Sequence, residues 1–419
     1  MQGKITVRGS KNAASKMMIA SLLTEELCTI ENVPLSAEID ITKELCEKIG
    51  SEVSFGEHQL VIKTERVNTP LVSELTRRNR IPILALGPLL HRRGFAEVPV
   101  FGGCPIGHRP VNLHVEVLTK MGAKIERRLG SYYAETNGLH GAEIEFPHSS
   151  VGATESAILT ATLAQGKTVI KNAAVEPEII NLIAMLCSMG ALVDVDSANR
   201  FIEIQGVSQL RGTTIRVMPD RNEVVSFASA ALATRGELEI LGIEEWYLKS
   251  FLEKVKAMGA GYGIYPDRIK FTSRDGYDPI SIETSPHPGF MTDWQQPVCV
   301  LLTQADGESI IHETVYEDRF GYVKDLNKLG AKIQVSDDCL ESPCRFSELT
   351  FNHSARVRGP SKLHGGELTM IDIRAGMAHI IAALIARGES VVSGVEHIDR
   401  GYEKLDERLR GLGADIKRV

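Results

Sequence analysis

The sequence predicts an α/β fold assembled from six copies of one unit, and three observations predict it. A helix-like run ends in a small glycine cassette at Gly50, Gly122, Gly190, Gly259, Gly330 and Gly413, each preceded by Ile, Met or Leu and followed by Ser or Ala. The intervals are roughly 70 residues, longer than solenoid repeats. A strand-like stretch follows the cassette, as at residues 331–336 and 414–419. A second helix recurs in every unit, opening on a polar residue and running into apolar, small side chains.

In chain order, the second helices open at Lys11, Arg80, Ser150, Asp220, Asp293 and Asp372, and the cassette helices close at Ile49, Met121, Met189, Met258, Leu329 and Leu412. Each cassette glycine stands where a helix C-terminus calls for a left-handed residue. Most of the second helices end at a glycine before a β-branched or apolar run, as at Gly236 and Gly388, which reads as helix stop and strand start. These helices are expected to be buried, with their N-termini facing something polar.

A helix N-terminus carries partial positive charge and unsatisfied N–H groups, and both favour anions. Asp220, Asp293 and Asp372 are read equally well as ordinary N-caps. Lys11, Arg80 and Arg374 are different, because a cation in the first turn opposes the dipole by about 0.3–1 kcal/mol. An anionic ligand shared with the backbone N–H groups explains them, so the expected substrate carries phosphate or carboxylate.

With 419 residues the chain can hold two domains with substantial cores, and its formal net charge of −7 offers nothing to nucleic acid or an anionic membrane in bulk. The first residues lack an apolar signal core, and the longest apolar runs, such as residues 377–386, are too short to span a bilayer. A soluble, cytoplasmic protein without membrane insertion is expected. Seven scattered cysteines point to reduced thiols, and no metal-ligand spacing stands out, so neither metal nor cofactor is expected. Cys46, Cys187 and Cys299, on helical segments with apolar neighbours, read as small core residues; Cys28, Cys339 and Cys344 carry no stronger signal.

Cys104 is the exception. It lies in a loop from Phe101 to Pro110 with three glycines, two prolines and the potential cations His108 and Arg109. Those cations can lower a thiol pKa from its usual value of about 8.5. The bland reading, a turn whose cysteine is incidental, fits the spacing as well.

At this loop the sequence resembles the UDP-N-acetylglucosamine enolpyruvyl transferase (1-carboxyvinyltransferase) family of the EPSP synthase-like superfamily. That family's hallmark, Gly-Gly-Cys-x-Ile-Gly-x-Arg-Pro-Val, is matched from Gly102 to Val111, and family-like segments follow at residues 9–14, 85–89, 150–154, 172–179, 219–221, 285–293, 317–320, 372–375 and 397–403. The resemblance covers essentially the whole chain. It implies a two-domain inside-out α/β barrel with three units in each domain, helices packed inside and sheets facing outward. One domain would be residues 11–218, carrying the Cys104 loop; the other would be residues 1–10 with 219–419. Helix N-termini of both halves would face the substrates.

The implied reaction moves the enolpyruvyl group of phosphoenolpyruvate to the 3-hydroxyl of UDP-N-acetylglucosamine and releases phosphate, the first committed step of peptidoglycan synthesis. By resemblance, Lys11, Arg109 and Arg400 hold the phosphate of phosphoenolpyruvate, and Arg374 its carboxylate. Asp293 is the general base and Cys104 the proton donor to carbon 3. The UDP-sugar would lie against Asn12, Arg80, Arg109, Pro110, Val111, Asn112, Leu113, His148, Ser150, Val151, Gly152, Asp293 and Val315, while Asp372, His397 and Glu403 fix the arginines. Without the resemblance, Arg400 reads as a surface cation paired with Asp399 or Glu403, and His148 and His287 as satisfied loop histidines.

Departures concern the acceptor. Asn112 stands where the family usually has aspartate, His148 where lysine is common and Ala37 where a basic residue is frequent, and the chain lacks most of the family's first strand. Three other readings fit parts of the sequence: an enolpyruvyl transferase for shikimate 3-phosphate or another nucleotide, an RNA-end cyclase, and a non-catalytic nucleotide-sugar-binding paralogue. The charge balance opposes the second, and the set Lys11, Cys104, Asp293 and Arg400 opposes the third.

Overall fold

A computed structural model describes the chain except for residues 78, 100–109, 318, 340–343 and 348. All six cassette glycines take positive φ: 122° at Gly50, 97° at Gly122, 105° at Gly190, 74° at Gly259, 98° at Gly330 and 85° at Gly413. A Cβ there would strain the backbone, which is why glycine recurs. The residue after the glycine then donates its N–H back into the helix, Ser51 to Cys46 O, Ala191 to Leu186 O, Ala260 to Val255 O, Ala331 to Leu326 O and Ala414 to Leu409 O. These bonds close the helix end and turn the chain outward.

In five units the turn feeds a strand that pairs antiparallel with the one after it. The pairs are Glu52–Gly56 with Gln59–Lys63, Ala123–Arg128 with Ser131–Thr136, Leu192–Asp196 with Phe201–Gln205, Gly261–Tyr265 with Arg268–Thr272, and Lys332–Ser336 with Ser354–Gly359. The expected sixth strand does not form: residues 414–419 are in no strand. They have no antiparallel partner of the kind that holds the other five, and Glu367–Thr369 pairs with Val391–Ser393 in parallel as a two-stranded sheet.

The chain divides into two compact units, one joining Met1–Arg8 to Pro219–Val419 and the other made of Gly9–Gly103 and Pro110–Met218. Each closes on itself through a parallel edge strand. In the second, Thr214–Arg216 returns to pair with Cys28–Glu31. In the first, Gln2–Thr6 pairs along its full length with Glu237–Leu241.

Within the first unit, helices Arg221–Ala233, Gln295–Leu302 and Ile373–Ile385 pack on one another. The first two are buried on every side, as helices without a polar face must be. In the second unit the corresponding helices are Lys11–Ala20, Leu86–Arg93 and Val151–Ala161. Two of the six begin as 3-10 turns, Ile81–Ala85 and Thr292–Trp294, rather than as the α-helices expected from Arg80 and Asp293. Pro88 and Pro297 account for the tighter start, since each lacks the N–H that an α-helical bond back to residue 84 or 293 would use.

Candidate active site

In the first unit the site is built around Asp293. Met291, not Asp293, is the N-cap of the turn Thr292–Trp294. The aspartate faces two arginines instead: Oδ1 accepts from Arg319 Nη2 at 2.5 Å and Oδ2 from Arg374 Nε at 3.0 Å. The Asp293 side chain is 21% exposed while those of Arg319 and Arg374 are 2% and 5% exposed, so solvent reaches the carboxylate and barely reaches the cations that hold it.

Each arginine is fixed by further contacts. Arg374 Nη1 donates to the Tyr402 hydroxyl at 3.0 Å, and that hydroxyl lies 2.7 Å from Ser226 Oγ. Burial opposes the charge on Arg374, but Tyr402, Asp293 and Asp220 outweigh it and hold its pKa above the usual arginine value. Gln296, with its amide oxygen turned to Arg319, accepts from Nε at 3.0 Å and Nη2 at 3.2 Å. Glu313 is buried behind them, accepting from Thr292 Oγ1 at 2.9 Å and from the N–H groups of Val315 at 2.9 Å and Tyr316 at 3.1 Å. Burial raises its pKa, with Arg319 the main opposing influence. The result is a pair of buried arginines, each held by further hydrogen bonds, around one partly exposed carboxylate.

Asp220 and Asp372 prove to be N-caps. Asp220 accepts from Asn222 N at 2.9 Å, and Asp372 from Arg374 N at 2.8 Å and Ala375 N at 3.1 Å. Asp372 therefore anchors the backbone that carries Arg374. Arg400 ends the 3-10 turn Ile398–Arg400 and is half-buried. Nearby, Asp399 accepts from Arg418 through two bonds of 2.8 Å, and Glu403 pairs with Arg8 Nε at 3.3 Å. His397 is the N-cap residue of that turn, and the Val315 carbonyl accepts from Arg345 Nη1 at 3.1 Å.

In the second unit Lys11 is the first residue of its helix, buried at 8% exposure, with Nζ donating to Asn12 Oδ1 at 3.3 Å. Ser150 caps Val151–Ala161 by accepting from Ala153 N at 3.4 Å. Val151 is exposed, and a Cβ on Gly152 would stand 2.9 Å from the His114 ring. Burial, then the charge of Arg80, push the His114 pKa down to about 3, so this imidazole is neutral. Arg80 Nη2 donates to the Pro110 carbonyl at 3.5 Å. Arg80, Pro110, His114 and Gly152 are thus gathered together, with Val111 and Leu113 buried beneath exposed Asn112. His148 lies in the loop before Ser150, and half-buried Ala37 opens helix Ala37–Ile49.

Beside Lys11 in sequence, Lys16 lies 3.7 Å from Glu155, which burial raises to about 7 against the pull of Lys16 and with the push of Glu178 and Glu176. Cys104 and Arg109 lie outside the described residues. Of the core cysteines expected, Cys46 and Cys299 are buried, with burial pushing both thiols up to about 12. Cys187 is exposed, because it falls on the outer face of the amphipathic helix Pro177–Ser188.

Sequence reasoning missed Arg319, Glu313, Tyr402, His114 and Glu155. Arg319 and Tyr402 sit inside two of the segments that carry the family resemblance, residues 317–320 and 397–403, so a signal for them was there. It also found no metal-ligand pattern, yet ligand atoms of His312, Cys344 and His353 lie within 4.8 Å of one another. His312 ends one strand, His353 immediately precedes another and Cys344 lies in the connection before it, so they leave no spacing motif.

The profile of the EPSP synthase (3-phosphoshikimate 1-carboxyvinyltransferase) family matches residues 1–409. A UDP-N-acetylglucosamine 1-carboxyvinyltransferase of Protochlamydia amoebophila is 42% identical over 100% of this chain and 92% of its own. One from Carboxydothermus hydrogenoformans is 40% identical over 100% of this chain and 96% of its own. Among solved structures, the enolpyruvyl transferase NikO from Streptomyces tendae superposes with a TM-score of 0.86 at 21% identity, over 99% of this chain and 95% of its own, a likeness of fold.

Proposed function

The chain belongs to the EPSP synthase family of carboxyvinyltransferases, and from that membership we propose that it transfers the enolpyruvyl group of phosphoenolpyruvate to the 3-hydroxyl of UDP-N-acetylglucosamine, releasing phosphate. The single observation that carries this reading is the full-length likeness to relatives bearing that activity in their names. The reaction assigned is the first committed step of peptidoglycan synthesis, and the location assigned with it is the cytoplasm. No helix among the described residues is long and apolar enough to cross a membrane.

Chemically the acceptor hydroxyl adds to carbon 2 of phosphoenolpyruvate while carbon 3 takes a proton. The tetrahedral phospholactyl ketal then loses a proton from carbon 3 and expels phosphate. Lys11, Arg109 and Arg400 are assigned to the phosphate, Cys104 to the proton at carbon 3, and Asp293 to the acceptor hydroxyl. Arg374 has two roles. It holds Asp293 Oδ2 in the present arrangement, and a forked guanidinium suits the substrate carboxylate equally well. When Arg374 turns to that carboxylate, Asp293 loses one of its two cations and becomes the stronger base, so substrate binding arms the base. Arg319 keeps the carboxylate in place throughout. Asn12, Arg80, Pro110, Val111, Asn112, Leu113, His148, Ser150, Val151, Gly152 and Val315 are assigned to the sugar nucleotide, and Asp372, His397 and Glu403 to holding the arginines.

The test is phosphate release from phosphoenolpyruvate with a panel of acceptors. UDP-N-acetylglucosamine is expected to support it and shikimate 3-phosphate not. Release with shikimate 3-phosphate alone, or with no acceptor in the panel, overturns the assignment.

A further inference from the structure

A cluster of thiols and imidazoles lies in the first unit at the end of one sheet, among residues to which the transfer reaction gives no role. Strand Gly307–His312 ends on His312, which stands opposite Ser354 in the antiparallel register, so His353 is its neighbour across the strands. Cys339 and Cys344 lie in the connection between Lys332–Ser336 and Ser354–Gly359. Cys344 Sγ is 3.4 Å from His312 Nε2 and 3.5 Å from His353 Nε2, and Cys339 Sγ is 3.4 Å from His353 Nε2. His353, His312 and Cys344 are 0%, 2% and 8% exposed, while Cys339 is exposed and opens the cluster to solvent.

These separations fit ligands around one metal ion as well as they fit thiol–imidazole hydrogen bonds. A tetrahedral zinc with Zn–S of about 2.3 Å and Zn–N of about 2.0–2.1 Å places sulfur and nitrogen ligands about 3.5 Å apart. The outer contacts match as well. His353 Nδ1 lies 2.7 Å from the Phe351 carbonyl and His312 Nδ1 lies 3.0 Å from Glu283 Oε2. Both acceptors require Nδ1 to carry the proton, which leaves each Nε2 lone pair aimed at the thiols, the arrangement of a metal-bound histidine oriented by a carbonyl or carboxylate. The Phe346 N–H donates to Cys344 Sγ at 3.4 Å, as backbone amides do to a ligating thiolate.

We propose that His312, Cys344 and His353, whose ligand atoms lie within 4.8 Å of one another, bind one zinc ion, and that Cys339, 3.4 Å from His353 Nε2, closes onto the metal as the fourth ligand of a tetrahedral site that staples Cys339 and Cys344 to the neighbouring strand end. Two sulfur and two nitrogen ligands select zinc among the common divalent ions, and two thiolates neutralise its charge. The role is structural. All four corners are filled by protein, so no position remains for substrate. The inference does not depend on the assigned reaction.

The test uses the full-length chain, expressed with zinc, purified under reducing conditions and dialysed to remove loose metal. About one zinc per chain is expected by elemental analysis. After exchange, cobalt is expected to give thiolate charge-transfer bands and the intense visible bands of a tetrahedral site. Cys344→Ser and His353→Asn should lose both, whereas Cys187→Ser, altering an exposed thiol elsewhere, should keep both. The cobalt spectrum of the unaltered chain stands even where a variant fails to fold. Trace zinc together with no tetrahedral cobalt spectrum in the reduced chain means only thiol–imidazole hydrogen bonds and overturns the proposal. So does a Cys339–Cys344 disulfide found by mass spectrometry in freshly isolated protein. Turnover is not the readout, so failure here is separate from failure of the acceptor panel.

Discussion

Two side chains carry opposite lessons about what a buried charge does. Asp293 accepts from Arg319 and Arg374, and replacing it with asparagine keeps the shape while removing both the basicity and the partner of two buried cations. Asp293→Asn is expected to lower kcat about 10²- to 10⁴-fold with UDP-sugar binding still measurable by calorimetry; a kcat within about threefold of the parent, far inside that range, removes Asp293 from the mechanism. Glu155 is held the other way. Burial lifts it to about 7, far above the unfolded carboxylate value of about 4.3, so the folded chain binds this proton more tightly than the unfolded one. Its stabilising contribution is fully present below about pH 4 and is lost as the pH rises through 7. Glu155→Gln should abolish that slope, a difference on the order of 2–3 kcal/mol between pH 5 and 8 in urea denaturation. Parallel pH profiles for parent and variant would show that Glu155 titrates normally.

At the scale of elements, the helix ends were legible and the helix starts only partly so. A left-handed glycine is a local requirement, written in one residue, and all six cassettes adopt it. Whether an aspartate caps a helix or faces an arginine from a distant segment is not local: Asp220 and Asp372 cap, but Asp293 is held by Arg319 and Arg374, whose positions only the tertiary fold sets. The absent strand at residues 414–419 makes the same point, because alternation supplies a strand's face but not its partner. Close helix packing is equally invisible in the sequence. A Cβ on Gly87 would stand 2.2 Å from Thr160 Oγ1 in helix Val151–Ala161, and that hydroxyl already donates to Ser156 O at 2.7 Å. In an open helix Gly→Ala would gain up to about 1 kcal/mol. Here overpacking wins, and Gly87→Ala is expected to destabilise by about 1–3 kcal/mol. Combined with Thr160→Ala the cost should largely vanish, which a double-mutant cycle by chemical denaturation measures; an unchanged cost would place the strain elsewhere.

The whole molecule follows from where the chain crosses between its two units. Repeats of roughly 70 residues announce six units, and the family resemblance adds how they group, but the reason the grouping is discontinuous is a strand pairing that composition cannot reveal. Gln2–Thr6 is the parallel edge of the sheet formed with Glu237–Leu241, and Ile5 and Val7 enter the core beside Val224, Phe227 and Leu238. Arg408 clamps the strand by donating to Thr6 O at 3.0 Å while it pairs with Glu223. Burying two aliphatic side chains stabilises by about 1.5–3 kcal/mol each, so the strand contributes roughly 3–6 kcal/mol, against about 5–15 kcal/mol for a typical domain. The stretch 9–218 contains its own closing strand, Thr214–Arg216, and should fold alone with a cooperative denaturation curve. Residues 219–419 lack theirs. Expressed alone they should be marginal, and addition of a synthetic peptide of residues 1–8 should restore a cooperative transition whose midpoint rises with peptide concentration. If fragment 219–419 is equally stable with and without the peptide, the first strand is an ornament on that unit rather than the piece that closes it.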